Sequence, residues 1–400
     1  MQPKKIFFVL FCFLNLVSIA QAAREFTENM YIPKPQILGT STESVVVPVR
    51  QVIYDHGPRS KLFSVVCDQA QYNIDKNHFD ARPDAAWGLQ ISQRFFRLSE
   101  DQSHLQSCKL KAFATCQFVG TMWEDYCNAM LRSYDDNRIS PIFGLSLAKA
   151  RTEALKSPVR IFCSSSCYDD QCSFNAYYTR DYQGQGKGIF LPRYETSCGS
   201  YYSADSFFTI AHEAGHSILD RFCPEYQNRI QENGQIISEF LVSKKISGKG
   251  IEQKLTNLNA STLQAPPILE YLSSRALHEA FGDITGILGS LKATNNPDRV
   301  IDQLNPTTCL VKAECSTCLR GPETSVTDPL NYHGRSLLLT RKFCEVLQTE
   351  KERLGDGALA IEKAAVQFLN LTLAASFRKE TNPFDTILNG LEQDSWPFLG

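Results

Sequence analysis

The stretch Phe207-Phe208-Thr209-Ile210-Ala211-His212-Glu213-Ala214-Gly215-His216-Ser217-Ile218-Leu219 decides how the rest of the chain is read. Its apolar residues are nearly continuous, so it reads as a buried helix over 206–221. Residues four apart share a helix face, so the imidazoles of His212 and His216 can reach one ion. Glu213 stands beside the first imidazole, where a carboxylate can hold a metal-bound water and act as general base. Zinc is the metal expected for this pattern. A catalytic zinc site usually takes three protein ligands and leaves one position open.

The third ligand is expected in Leu277-His278-Glu279-Ala280-Phe281-Gly282-Asp283, within an amphipathic helix over 268–291. Glu279 is the candidate ligand. Asp283 lies one turn later and can accept a hydrogen bond from a ligand histidine, fixing its tautomer. His278 leaves the helix in another direction and is not expected to bind. A rival carboxylate, Glu239 in Ile236-Ile237-Ser238-Glu239-Phe240-Leu241, has Ser243 rather than an acid one turn on. That makes it the weaker candidate.

Outward from these helices, the pattern changes along the chain. Residues 43–54 are β-branched and interrupted by Pro48, as in an edge strand. Apolar residues recur at helical spacing over 80–97, whereas 101–158 shows no assignable pattern. Strands are expected at 159–162, 175–178 and 188–192, with Gly184, Gly186 and Gly188 favouring a hairpin. Further helices are expected at 333–350, 357–377 and 383–392. A β-rich part followed by a helical part argues for an α+β fold with two lobes. The division reads as 1–22, an N-terminal extension or propeptide-like segment at 23–80, a β-rich lobe with the two-histidine helix at 81–222, and a helical lobe at 223–400. Trp87, Trp123 and Trp396 read as core or interface anchors. Asn259-Ala260-Ser261 and Asn370-Leu371-Thr372 match glycosylation acceptors, the second in an expected buried helix.

The chain has 400 residues, with 41 Lys+Arg against 43 Asp+Glu and a net charge of −2. Charge so balanced leaves no electrostatic footprint for nucleic acid, and no such partner is expected. With 43% hydrophobic and 21% charged residues, the composition is that of a globular chain. Residues 1–22 stand apart: Lys4 and Lys5, an apolar run from Ile6 to Ala20, then Ala20-Gln21-Ala22. That order is the pattern of a cleaved secretory signal, and the run is short for a membrane-spanning helix. The expectation is therefore an exported protein, secreted or periplasmic, with no later membrane span. Fourteen cysteines suit an oxidising compartment. Loss of Cys12 with the signal leaves an odd number, hence disulfides with one thiol over. Cys163, Cys167 and Cys172, and the pair Cys315 and Cys318, read as disulfide cysteines rather than as zinc ligands.

Taken together these residues resemble a known family. His212 to His216, followed by Glu279 and Asp283, is similar to the glutamate-zincin metallopeptidases, and most to the thermolysin-like ones. Asn175-Ala176-Tyr177 resembles the family's Asn-Ala-aromatic element, which implies that Asn175 and Ala176 bind substrate backbone at an edge strand. Asp84 to Leu98 resembles the long helix of its N-terminal lobe. Asn331-Tyr332-His333-Gly334-Arg335-Ser336 resembles the segment bearing its transition-state histidine, which implies an oxyanion donor in His333, with Tyr332 and Tyr226 as alternatives. The implied fold is a two-lobed α+β zinc peptidase with the zinc helix between a β-rich and a helical lobe. The long gap from His216 to Glu279 departs from the family, so 224–266 reads as an insertion. No acidic calcium-binding cluster is recognisable, and calcium is not expected. Glu279-Ala280-Phe281-Gly282-Asp283 is also close to the angiotensin-converting-enzyme-like peptidases, whose greater length and almost wholly helical fold suit this chain less well.

The implied activity is that of an exported zinc-dependent endopeptidase acting on peptides or proteins. Two other readings stay open here: a non-proteolytic exported protein that keeps the scaffold for binding, and a zinc hydrolase with a non-peptide substrate. The intact Glu213 weighs against the first, because a binding module needs no general base.

Overall fold

The computed structural model describes residues 26–35, 44–54, 58–65, 69–73, 78–82, 104–133, 158–163, 176–180, 187–196, 199–246, 248, 251–294, 296–304, 311–312, 318–320 and 330–393. The expected signal at 1–22, all of the expected Asp84–Leu98 helix, Asn175, Trp87 and Trp396 lie outside them. Described strands are β1 (Phe26–Pro33), β2 (Ser44–Tyr54), β3 (Pro58–Arg59), β4 (Phe63–Val65), β5 (Gln69–Asn73), β6 (His78–Arg82), β7 (Val159–Cys163), β8 (Tyr177–Thr179), β9 (Gly188–Leu191), β10 (Arg193–Thr196), β11 (Gly199–Tyr202), β12 (Val311–Lys312) and β13 (Cys318–Arg320). The helices are α1 (His104–Ser133), α2 (Phe207–Phe222), α3 (Pro224–Ser243), α4 (Ile251–Leu255), α5 (Ala260–Leu263), α6 (Pro266–Ala293), α7 (Pro297–Gln303), α8 (Tyr332–Leu354), α9 (Gly357–Phe377) and α10 (Pro383–Glu392). The fold is mixed α+β and mostly helical, with small sheets.

Seven strands share one sheet in the order β1-β2-β3-β4-β7-β9-β8. β4, β7 and β9 run parallel, and β8 ends the sheet antiparallel to β9. β2 pairs with β1 along its length and with β3 only at Ile53 and Tyr54. Pro48, which cannot donate to a ladder, thus sits where β1 is the only paired neighbour among the described residues. One expectation is corrected here: Asp80, Ala81 and Arg82 do not begin a helix. They end β6, where Asp80 pairs with Gln71, and the β5–β6 hairpin takes up their backbone groups.

α1 occupies the segment that shows no sequence pattern. Ala112, Phe113, Ala114, Cys116, Val119, Trp123 and Met130 are buried, and so are Thr115 and Gln117. A helix buried on every side has no polar stripe to mark its period. It packs against β1, β2, β4 and β7 as well as against α2 and α9. The half of the chain read as β-rich therefore contains a long core helix.

α2 and α6 carry the two motifs and pack extensively on each other. α2 begins at Ser206, whose side chain accepts the Thr209 N–H, a cap of the kind that contributes about 1 kcal/mol. Phe207, Phe208, Ile210, Ile218 and Leu219 are all buried, each contributing roughly 1.5–3 kcal/mol. α6 begins with Pro266 in its first turn and is buried continuously from Ala276 to Leu291. The two helices cross at glycines: a β-carbon on Gly215 would lie 2.9 Å from the Cα of Gly282. Trp123 Nε1 donates to Thr285 Oγ1 at 3.0 Å and its ring stacks on Phe281 at 4.7 Å, tying α1 to α6 beside the crossing.

The main hydrophobic core is one cluster with members from Met30 on β1 to Leu391 on α10. A second, small core joins Ile230, Ile237, Leu241 and Leu255 to Ile268, Tyr271 and Leu272. Residues 224–266, read as an insertion, thus form α3 to α5 and pack on the N-terminal part of α6. α9 is long and apolar enough to cross a membrane by composition, contrary to expectation, yet most of it is buried within the protein. Asn370 is fully buried there, whereas Asn259 is exposed and its side chain caps α5.

Cys108, Cys116, Cys163, Cys223 and Cys344 are buried free thiols. Cys167 and Cys172, grouped with Cys163 in the expected disulfides, lie outside the described residues, and Cys163 itself faces the core from β7 at 3% exposure. Burial, above all, pushes its thiol up to about 12.

Candidate metal centre

The crossing of α2 and α6 brings His212, His216 and Glu279 into one buried group whose ligating atoms all lie within 4.8 Å of one another. His212 Nε2 is 3.4 Å from Glu279 Oε2, and His216 Nε2 is 3.9 Å from Glu279 Oε1. His212 Nδ1 donates to Asp283 Oδ1 at 2.9 Å. A carboxylate only accepts, so this bond fixes the proton on Nδ1 and leaves Nε2 free to ligate. Asp283 is fully buried, and the bond holds the ring against the helix that carries Glu279.

Two imidazoles and one carboxylate form a donor set that suits a divalent transition metal. The electrostatics agree. Burial, reinforced by neighbouring His212, holds His216 well below the ordinary histidine range, against the opposing pull of Glu279. A neutral imidazole is the form that binds metal. His216 Nδ1 is buried with no hydrogen-bond partner among the described residues. His278 is buried too, with its ring 5.7 Å from that of His216, and desolvation lowers it to about 4. It is not one of the three residues of the clustered group.

The other expected residues divide clearly. Glu213 is 6% exposed on the same turn as His212. His333 comes to the group from α8, where Asn331 accepts the Gly334 N–H and sets the first turn. Its Nε2 lies 3.4 Å from Glu279 Oε2 and its side chain remains 42% exposed. Glu239 is exposed, accepts from Gln235 on its own helix and does not join the clustered group. Tyr226 is buried elsewhere, donating to the Thr372 carbonyl at 2.8 Å. Ala176 is buried immediately before β8, the edge strand of the sheet; Asn175 lies outside the described residues.

A set of charged residues not singled out from sequence joins that edge strand to α2. Asp220 lies one turn beyond His216 with a fully buried side chain. Its Oδ2 accepts from Tyr178 Oη at 2.7 Å and pairs with Lys187 Nζ at 3.0 Å; Arg180 pairs with Oδ1 at 2.6 Å. Burial by itself would raise this carboxyl, but Lys187, Arg180 and the Tyr178 hydroxyl hold it below the usual carboxylate range. The available sequence signal was an acid one turn past a ligand histidine. Its partners, on β8, just after it and just before β9, are distant in sequence.

No family model matches the chain, and no curated protein matches it. The functional reading therefore rests on the chemistry of the site.

Proposed function

We propose that the protein is an exported zinc-dependent endopeptidase with the two-lobed architecture of the glutamate-zincins. The observation that carries this reading is the convergence of His212, His216 and Glu279, with Asp283 fixing the tautomer of His212 and Glu213 adjacent. His212, His216 and Glu279 would hold the ion. Zinc bound there would supply Lewis acidity.

The protein's own groups do the rest. The Glu213 carboxylate takes a proton from the attacking water and delivers it to the leaving amide nitrogen. His333 donates from its exposed imidazole to the oxygen on which charge develops. β8 ends the described sheet, and its backbone is where an extended peptide would pair as an added strand. Ala176 stands at the start of that edge, with Asn175 before it.

Incubation of the purified protein with a denatured protein mixture, followed by mass spectrometry of the products, tests the reading. Internal cleavages that disappear with a zinc chelator and return with zinc support it. A protein that binds zinc but cleaves nothing overturns it in favour of a scaffold kept for binding. N-terminal sequencing of the exported product, expected to begin near Ala23, tests the signal segment.

A further inference from the structure

Arg275 lies on α6 one turn before Glu279, so the two side chains leave the same helix face. Its guanidinium carbon stands 4.3 Å over the Tyr332 ring, and its Nη2 donates to the Tyr332 hydroxyl. The Tyr332 ring in turn lies 4.2 Å from the His333 ring at an interplanar angle of 34°. His333 Nε2 returns to Glu279 Oε2 at 3.4 Å. The four residues thus close a circuit: Arg275 and Glu279 from α6, Tyr332 and His333 from the first turn of α8.

We propose that Arg275 is a positioning residue for His333, acting through Tyr332; the functional half of this inference rests on the peptidase reading above. The first turn of a helix lacks part of its backbone bonding and frays readily. Tyr332 is the first residue of α8 and His333 the second, so the direction of the imidazole depends on what anchors that turn. A planar guanidinium can stack on a ring and hydrogen-bond its hydroxyl, which a point-charge ammonium does poorly. Fixing the Tyr332 ring places one wall beside the imidazole and limits the directions open to it. Arg275 is anchored by the rigid, buried helix that carries the third ligand, so the position of His333 is referred to the metal group itself.

The test compares Arg275→Met, Arg275→Lys, Tyr332→Phe, His333→Ala and the Arg275→Met/His333→Ala double variant. Each is checked for folding by circular dichroism and for zinc by elemental analysis. Arg275→Met is expected to lower kcat on an internally quenched peptide about tenfold, the scale of a modest misplacement. KM and zinc content are expected to stay near wild type. Arg275→Lys should restore little, and Tyr332→Phe, which keeps the ring, should fall between. In the His333→Ala background Arg275→Met should cost nothing further, because its effect runs through the missing imidazole.

A readout independent of catalysis uses the metal-free protein. The His333 ring 1H–15N resonances, identified by their loss in His333→Ala, should move in Arg275→Met. An equal loss of kcat with and without His333, or unmoved His333 resonances, overturns the proposal. If the wild-type protein cleaves no peptide, the peptidase reading fails while the resonances still decide whether Arg275 positions His333.

Discussion

A β-carbon on Gly282 would stand 2.7 Å from Nδ1 of His212, the atom that donates to Asp283. The imidazole can lie this close to α6 because residue 282 has no side chain. Alanine is the better helix former by about 1 kcal/mol, so propensity alone favours the change. The contact opposes it, because the ring would have to leave its bond to Asp283. Gly282→Ala is expected to stay folded and to bind zinc roughly 10–100-fold more weakly, the usual cost of losing a ligand's supporting hydrogen bond. Competition against a chromophoric chelator measures this, and unchanged affinity would show that the ring needs no such clearance.

The ligand assignment makes a graded prediction. Glu279→Ala removes a donor and should lose zinc. Asp283→Asn keeps the shape but weakens the hold on His212 Nδ1, lowering affinity by roughly 10–100-fold. Glu239→Ala should match wild type, since that side chain is exposed and bonded to Gln235. Elemental analysis of the three purified variants ranks them, and metal loss in Glu239→Ala would refute the assignment.

Glu213→Gln separates binding from chemistry. The residue is not a ligand, so zinc content should remain at the wild-type level. Activity should fall by roughly 10²–10⁴, the range associated with general acid–base catalysis. A variant that retained more than about a tenth of the rate would remove Glu213 from that role.

Asp220→Asn tests the joint between β8 and α2. The substitution leaves the charges of Arg180 and Lys187 without their buried counter-ion, a change that typically costs about 3–5 kcal/mol. Since the folded carboxyl lies below its ordinary value, its contribution is present above the usual carboxylate range and is lost as pH falls through the folded value. Urea unfolding at pH 7 and pH 3 should therefore show a larger acid-side loss in wild type than in the variant. Equal losses would deny Asp220 its electrostatic role.

Much of the site was readable because its logic is local. The spacings His212 to His216 and Glu279 to Asp283 each describe one helical turn, and helix geometry converts them directly into shared faces. α2, α6, α8, α9 and α10 lie close to the helices expected at 206–221, 268–291, 333–350, 357–377 and 383–392. α1 escaped because its polar residues Thr115, Gln117 and Thr121 are buried along with the apolar ones, which erases the stripe. α3 was passed over because its segment was defined by the gap it fills, not by its own pattern. The circuit through Arg275 and the ion pairs of Asp220 were not legible for another reason. Each joins residues separated by dozens of positions, and only the packed helices bring them together.

The buried thiols give the protein a gauge of its own opening. Cys108, Cys116 and Cys163 lie within the packing of α1 and β7, and burial raises each thiol above its usual range, so little thiolate exists to react. An alkylating reagent can label them only through openings that reach the interior, and its rate reports how often α1 parts from the sheet. The same arrangement imposes a race during folding in any oxidising compartment. Closure around α1 must outrun the oxidant if these sulfurs are to stay reduced as they are buried.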